Sequence, residues 1–123
     1  MTAFAWREVL DLAEYTYRLA QSGSKTPSPE SAYRCTCSRA YYAAFCHACV
    51  HAESHAQWRR IPDYSDHSRI RSYLRDDGKQ ELADKLQDLH DWRKLCDYSD
   101  SVGNVDWLAM YALDWATNVI DAL

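Results

Sequence analysis

PESAYRCTCSRAYYAAFCHACVHAESH, residues Pro29–His55, is the stretch whose reading decides the fold. After Pro29 it contains neither Gly nor Pro, and its residue types sustain a helix over its whole length. Its apolar residues fall on two sides. Tyr33, Cys37, Ala40, Tyr41, Ala44 and Ala48 form one stripe, while Tyr42, Phe45 and Cys49 form another. A helix so broadly apolar needs two neighbours. One is a bundle core; the other is a third helix or a second subunit.

Working outward, Ser22–Pro29 is a Ser- and Pro-rich loop. Its end, Ser28-Pro29-Glu30, puts a capping hydroxyl before a proline suited to the first helical position. Before it, Trp6, Val9, Leu10, Ala13, Tyr17 and Ala20 recur every three or four residues and predict a helix over Ala3–Ala20. After it, Gln57–Asp66 reads as an irregular connection broken at Pro62. A short helix over His67–Arg75 follows, stopping at Asp77-Gly78. Lys79–Tyr98 forms the next helix, with Leu82, Leu86, Leu89, Arg93 and Cys96 in line and Trp92 beside them. Beyond a turn at Ser101-Val102-Gly103-Asn104, the last helix aligns Val105, Leu108, Ala112, Trp115, Val119 and Ala122. The expectation is an all-α, up-and-down bundle of four long helices plus one short helix, forming one domain over residues 1–123.

Composition agrees. The chain of 123 residues is 47% apolar and 26% charged, and three Gly with three Pro are few for a protein of many strands and turns. No stretch of the sequence is long and apolar enough to span a membrane. Arg7, Glu8, Asp11 and Glu14 stand where a signal peptide needs an apolar run. The five cysteines are an odd count, with Cys35, Cys37, Cys46 and Cys49 inside one helix, which predicts reduced thiols and a cytoplasmic protein rather than a disulfide framework.

The net charge of −4 opposes a strongly basic surface, yet the charge is unevenly spread. Arg59, Arg60, Arg69, Arg71 and Arg75 are accompanied by Asp63 and Asp66, whereas the chain after Lys94 carries Asp97, Asp100, Asp106, Asp114 and Asp121 and no Lys or Arg. The central segment is thus suited to an anionic partner or to the acidic last helix.

Two segments, SRAYYAAFCHACVHAE at Ser38–Glu53 and LHDWRKLCDYSD at Leu89–Asp100, resemble small proteins of the HEPN superfamily. The first matches that superfamily's N-R-x-Y-Y-A-x-F-like run, and the second its late helix with an Arg and an Ala-Asp-Tyr-like ending. The helix order and the Arg-rich intervening segment extend the resemblance over nearly the whole chain. It implies a helical bundle, often homodimeric, that acts on RNA as a toxin or defence effector. In other members the bundle is a binding module beside a nucleotidyltransferase or an antitoxin partner. The superfamily's ribonucleases carry an Arg followed, after four to six residues, by His. Arg93 is present here, but Tyr98, Ser99 and Asp100 occupy the places for the His, so that motif is incomplete and the chain is closest to the branch ending in Asp-Tyr, here Asp97-Tyr98.

Arg93 is the most informative residue, because it stands on an apolar stripe where a guanidinium needs a partner. It either pairs with Asp97 one turn on or lines a cleft and grips phosphate with its forked donors. Metal-independent RNA cleavage needs a base, an acid and a cation. Arg93 supplies the cation, and His90, Tyr98 and His67 are the candidates for proton transfer. Arg39, Arg69, Arg71 and Tyr73 are the candidates for contacting nucleic acid or phosphate, with Arg69 and Tyr73 one turn apart for a phosphate contact plus stacking. The recurrence of His47, His51 and His55 raises a metal-binding bundle as a weaker alternative, but one helix rarely supplies a full ligand set, and no metal or cofactor is expected. Trp107 and Tyr111, flanked by Asp114, suggest a protein interface, since acidic neighbours repel phosphate. Gly-rich phosphate loops, nucleophile elbows and paired Cys-x-x-Cys clusters are absent from the sequence.

The leading expectation is therefore a homodimeric HEPN-like protein directed at RNA or a nucleotide, with metal-independent RNA cleavage as one form of that action. Its rival is a non-catalytic regulatory module whose broad apolar second helix binds a partner.

Overall fold

In the computed structural model, which describes residues 3–61 and 63–123, five helices follow in order. They are α1 (Arg7–Gln21), α2 (Pro29–His55), α3 (Asp66–Asp76), α4 (Gln80–Tyr98) and α5 (Val105–Ala122). The architecture is all-helical, with four long helices and the shorter α3. Among the described residues no helix is long and apolar enough to cross a membrane.

α2 runs through the middle. Ser28 caps it, its hydroxyl accepting from the Ser31 amide at 3.2 Å, and Pro29 opens the first turn. Along its length Ala32, Cys37, Ala40, Ala43, Ala44, Ala48, Cys49 and Ala52 are buried. Small side chains let neighbouring helices approach on several sides at once, and α1, α4 and α5 take those sides while α3 touches α2 more lightly. The two apolar stripes are thus covered by helices of the same chain. This corrects the idea that α2 offers a broad apolar face to a second protein.

Larger residues fill the seams: Leu10 from α1, Tyr41 from α2, Ile70 and Leu74 from α3, Leu86 and Leu89 from α4, and Val119 and Ile120 from α5. Thr16 and Thr36 share a hydrogen bond of 2.7 Å across the α1–α2 seam, which satisfies both hydroxyls away from water. An Arg7–Asp121 ion pair links α1 to α5. Trp92 and Trp115 join α4 to α5, the Trp115 indole donating to Asp88 at 3.3 Å.

The helix boundaries follow local chemistry. α1 starts at Arg7 rather than Ala3, and Phe4 meets Trp6 edge-on at 5.0 Å ahead of the first turn. α3 ends where Gly78 takes φ +78°, so that the amides of Gly78 and Lys79 reach back to Arg75 and Leu74 at 3.1 and 2.7 Å. That closure needs a left-handed residue, which explains why the helix stops at Asp77-Gly78. The predicted break at Pro62 lies outside the described residues. Beside it, Asp66 is buried and accepts the Ile61 amide at 3.0 and 3.1 Å, which ties the connection to the start of α3.

Close approach at α2 leaves no room for a larger side chain. Ala44→Leu is expected to lower stability by about 1–3 kcal/mol through overpacking. Urea unfolding followed by circular dichroism checks this; a midpoint equal to that of the parent protein contradicts the close-packed assignment.

Candidate functional site

Arg93 sits on α4's apolar stripe in the penultimate turn of the helix, and its side chain is only 15% exposed. The helix turns it toward α2, where Tyr42 waits. One Nη donates to the Tyr42 hydroxyl at 2.7 Å and to the Tyr98 hydroxyl at 3.4 Å, and the guanidinium lies 5.0 Å from the Tyr42 ring centre and 5.4 Å from that of Tyr98. Its Nε stands 2.8 Å from Asp97 Oδ2, a close ion pair in which the N–H points off the line to the oxygen. Pairing with Asp97 and facing a cleft, two readings that the sequence leaves as alternatives, are both true of this one side chain.

The cleft has a volume of about 360 Å³ and is lined by Trp6, Arg39, Tyr42, Cys46, Arg93 and Asp97. Arg39 reaches it from α2, 5.2 Å from the Tyr42 ring centre and 3.4 Å from the Ser38 hydroxyl. Ser38 in turn donates to Asp97 at 3.3 Å. Two guanidinium groups thus converge on one tyrosine with a single carboxylate between them, leaving a net positive lining. Burial pushes the Cys46 thiol up, which keeps it protonated and unsuited to nucleophilic work near neutral pH. Tyr98, 73% exposed, touches Arg93 from outside this lining and borders a separate open pocket with Asp91, Lys94, Leu95 and Ser99.

A residue that the sequence reading passed over holds this end of α4. Arg34, one turn before Ser38 on α2, donates to the carbonyls of Cys96, Ser99 and Asp100 at 3.1, 2.6 and 3.3 Å and pairs through Nε with Glu30 at 3.2 Å. A helix C-terminus carries unpaired carbonyls and partial negative charge, so the guanidinium satisfies both. Its i, i+4 spacing to Glu30 is legible in sequence, but its carbonyl partners, more than sixty residues away, carry no side-chain signal.

The other predicted residues are distributed over two further places. His90 turns away from the Arg93 fork and stacks on Tyr41 and His67, with ring centres 5.2 and 4.8 Å apart; the Tyr41 hydroxyl is hydrogen-bonded to His67 Nδ1. Burial, then the charges of His67, Lys94 and Arg71, push His90 down to about 4. Burial and the charges of Arg93 and Arg71 lower His67 as well, so both rings are neutral near pH 7. Arg71 belongs with this cluster. Arg69 and Tyr73 instead line a groove of about 610 Å³ beside Trp58, with Arg69 held 2.6 Å from Asp66 and 4.8 Å from the Trp58 ring centre. The candidate nucleic-acid residues therefore do not share one surface: Arg39 lies in the Arg93 cleft, Arg71 at the imidazoles, and Arg69 with Tyr73 in the separate groove.

His51 and His55 stack at 4.2 Å, with His55 Nδ1 against the His51 carbonyl at 2.9 Å. Among the described residues no group of three or more His, Cys, Asp or Glu side chains is placed to hold a metal ion, so the metal-binding alternative has no assembled ligand set there. Trp107, Met110 and Tyr111 lie exposed on α5. No family model matches this chain, and comparison with curated proteins and with solved structures likewise yields no match.

The half-buried His90 imidazole predicts a pH effect of definite sign. The unfolded chain takes up the His90 proton near 6.5 and the folded chain only near 4, so acidification between these values favours unfolding. Stability is expected to fall as pH drops from about 6.5 toward 4 and to be level in this respect above that window. Urea titrations across the window, on the parent protein and His90→Gln, should show a shallower slope in the variant; identical slopes would remove His90 as the cause.

Proposed function

We propose that this chain is a HEPN-like, RNA-directed protein that binds single-stranded RNA at the Arg39–Arg93 cleft. The convergence of Arg39 and Arg93 on Tyr42, with exposed Tyr98 against the other side of Arg93, is the observation that carries this reading. Guanidinium forks match phosphate oxygens, and aromatic rings accept any base face, so the two together suit an unpaired strand. The resemblance of the α2 and α4 segments to HEPN proteins supports the same ligand class, and with it a homodimer working in a toxin–antitoxin or defence setting.

Cleavage is the less supported half of that resemblance. The polar partners of Arg93 are Tyr42, Tyr98 and Asp97, and no imidazole is among them. This favours binding without chemistry as the second reading: a regulatory module associated with a nucleotidyltransferase or an antitoxin. The exposed Trp107, Met110 and Tyr111 of acidic α5 offer a surface for such a protein.

Fluorescence anisotropy with a short labelled single-stranded RNA tests the cleft. Arg93→Ala is expected to weaken binding by about 10- to 100-fold, the worth of one charge-assisted contact. Arg39→Ala should lower the dependence of log affinity on log salt by about 0.7, one phosphate's share for a single strand. Equal affinity in the parent protein and both variants would rule out this cleft. Intact RNA recovered after incubation with a binding-competent protein would select the non-catalytic reading.

A further inference from the structure

A second polar cluster adjoins the cleft and is unused by RNA binding at Arg93. The Tyr41 and Tyr42 rings, 5.4 Å apart, connect the two places. Arg71 enters the cluster from α3, and its buried Nη1 has no hydrogen-bond partner among the described residues. His90 Nδ1 from α4 is buried and unpartnered in the same way. The His67 and His90 rings lie parallel within 6° at 4.8 Å, and Arg71 follows His67 by one turn of α3, so the three side chains share one seam.

The nearby carboxylates are engaged elsewhere. Asp66 holds the Ile61 amide and Arg69, while Asp91 accepts from Gln87 at 3.1 Å and lies 3.7 Å from Lys94. A half-buried guanidinium beside two imidazoles therefore has a free donor and no hydrogen-bonded carboxylate among the described residues, an arrangement that an anion would complete.

The geometry points to an oxyanion seat at the α3–α4 seam, where Arg71 and the donor edges of His67 and His90 take a phosphoryl group. The seat follows from these unpartnered donors alone; only the carrier, a neighbouring phosphate of the strand at Arg93, rests on the RNA reading. Inorganic phosphate presents the same oxygens.

An anion here favours protonated imidazoles, so phosphate should raise the titration of both rings and bind more tightly as pH falls through them. The groups facing those rings are Tyr41 from α2, Asp66 and Arg71 from α3, and Asp91, Arg93 and Lys94 from α4. Burial holds Tyr41 well above its ordinary value, so its hydroxyl stays neutral throughout.

The experiment is a pH titration of the imidazole resonances by nuclear magnetic resonance, assigned with His67→Gln and His90→Gln. The full chain is compared in chloride, in inorganic phosphate at equal ionic strength, and with short single-stranded RNA. Phosphate is expected to raise the His67 and His90 titrations by about one pH unit, a tenfold preference for the protonated rings. Arg71→Gln should lose this response, and Arg71→Lys, which keeps the charge and serves if the Gln variant unfolds, should retain part of it. Arg93→Ala should keep the phosphate response.

Matching titrations in chloride and phosphate for the parent protein overturn the seat, even where RNA binding through Arg93 persists. A phosphate response without any RNA binding supports the seat while removing the RNA reading. A response to phosphate but none to bound RNA supports the seat with free phosphate as its ligand.

Discussion

Everything in this fold depends on how closely other helices approach α2. Helix axes pack 8–10 Å apart according to the side chains between them, and a helix surrounded on several sides must be lined with small ones. Buried alanines and cysteines supply that lining from Ala32 to Ala52. Apart from Tyr33, which meets Tyr17 of α1, the large aromatic exceptions Tyr41, Tyr42 and Phe45 are gathered within little more than one turn, where the short α3 and the end of α4 leave space for rings. The polar clusters arise at this place, because the two tyrosines carry hydroxyls that must find partners.

Arg93 shows how structure and binding chemistry share one residue. Its ion pair with Asp97 and its bond to the Tyr42 hydroxyl offset the penalty of burying a guanidinium, while the ring faces of Tyr42 and Tyr98 leave its position fixed without neutralising it further. Arg34 acts on the same region from behind by holding the carbonyls at the end of α4. The backbone that carries Asp97 and Tyr98 is thereby fastened to α2, on which Arg39 and Tyr42 are also mounted. A preorganised arrangement of this kind loses little conformational freedom on receiving a ligand.

The helices were legible in sequence because their signals are local: the Ser28-Pro29 start, the Gly78 stop, and apolar residues repeating along α4 and α5. Arg93 was legible as well, since a charge interrupting an apolar stripe needs an explanation wherever the stripe packs. The grouping around it was much less so. Tyr42 reads as one more apolar residue of α2, and its role follows only from the rotation that brings α4 beside it. Arg69 and Arg71, two residues apart in a charge-rich segment, look like parts of one surface. On a helix that spacing turns them to different sides, one toward Trp58 and the other toward the imidazoles. His67 and His90 owe their neutrality first to burial and then to neighbouring positive charges such as Arg71, neither of which has a local sequence mark.

The cysteines carry a practical consequence. Cys35 alone among the five is exposed, while Cys37, Cys46, Cys49 and Cys96 are buried across the α2 and α4 surfaces. A thiol reagent added to the native protein should therefore modify one position at once and the others only at the pace of helix separation. The natural sequence thus contains its own attachment point for a dye next to Arg34, together with four internal clocks for the breathing of the bundle.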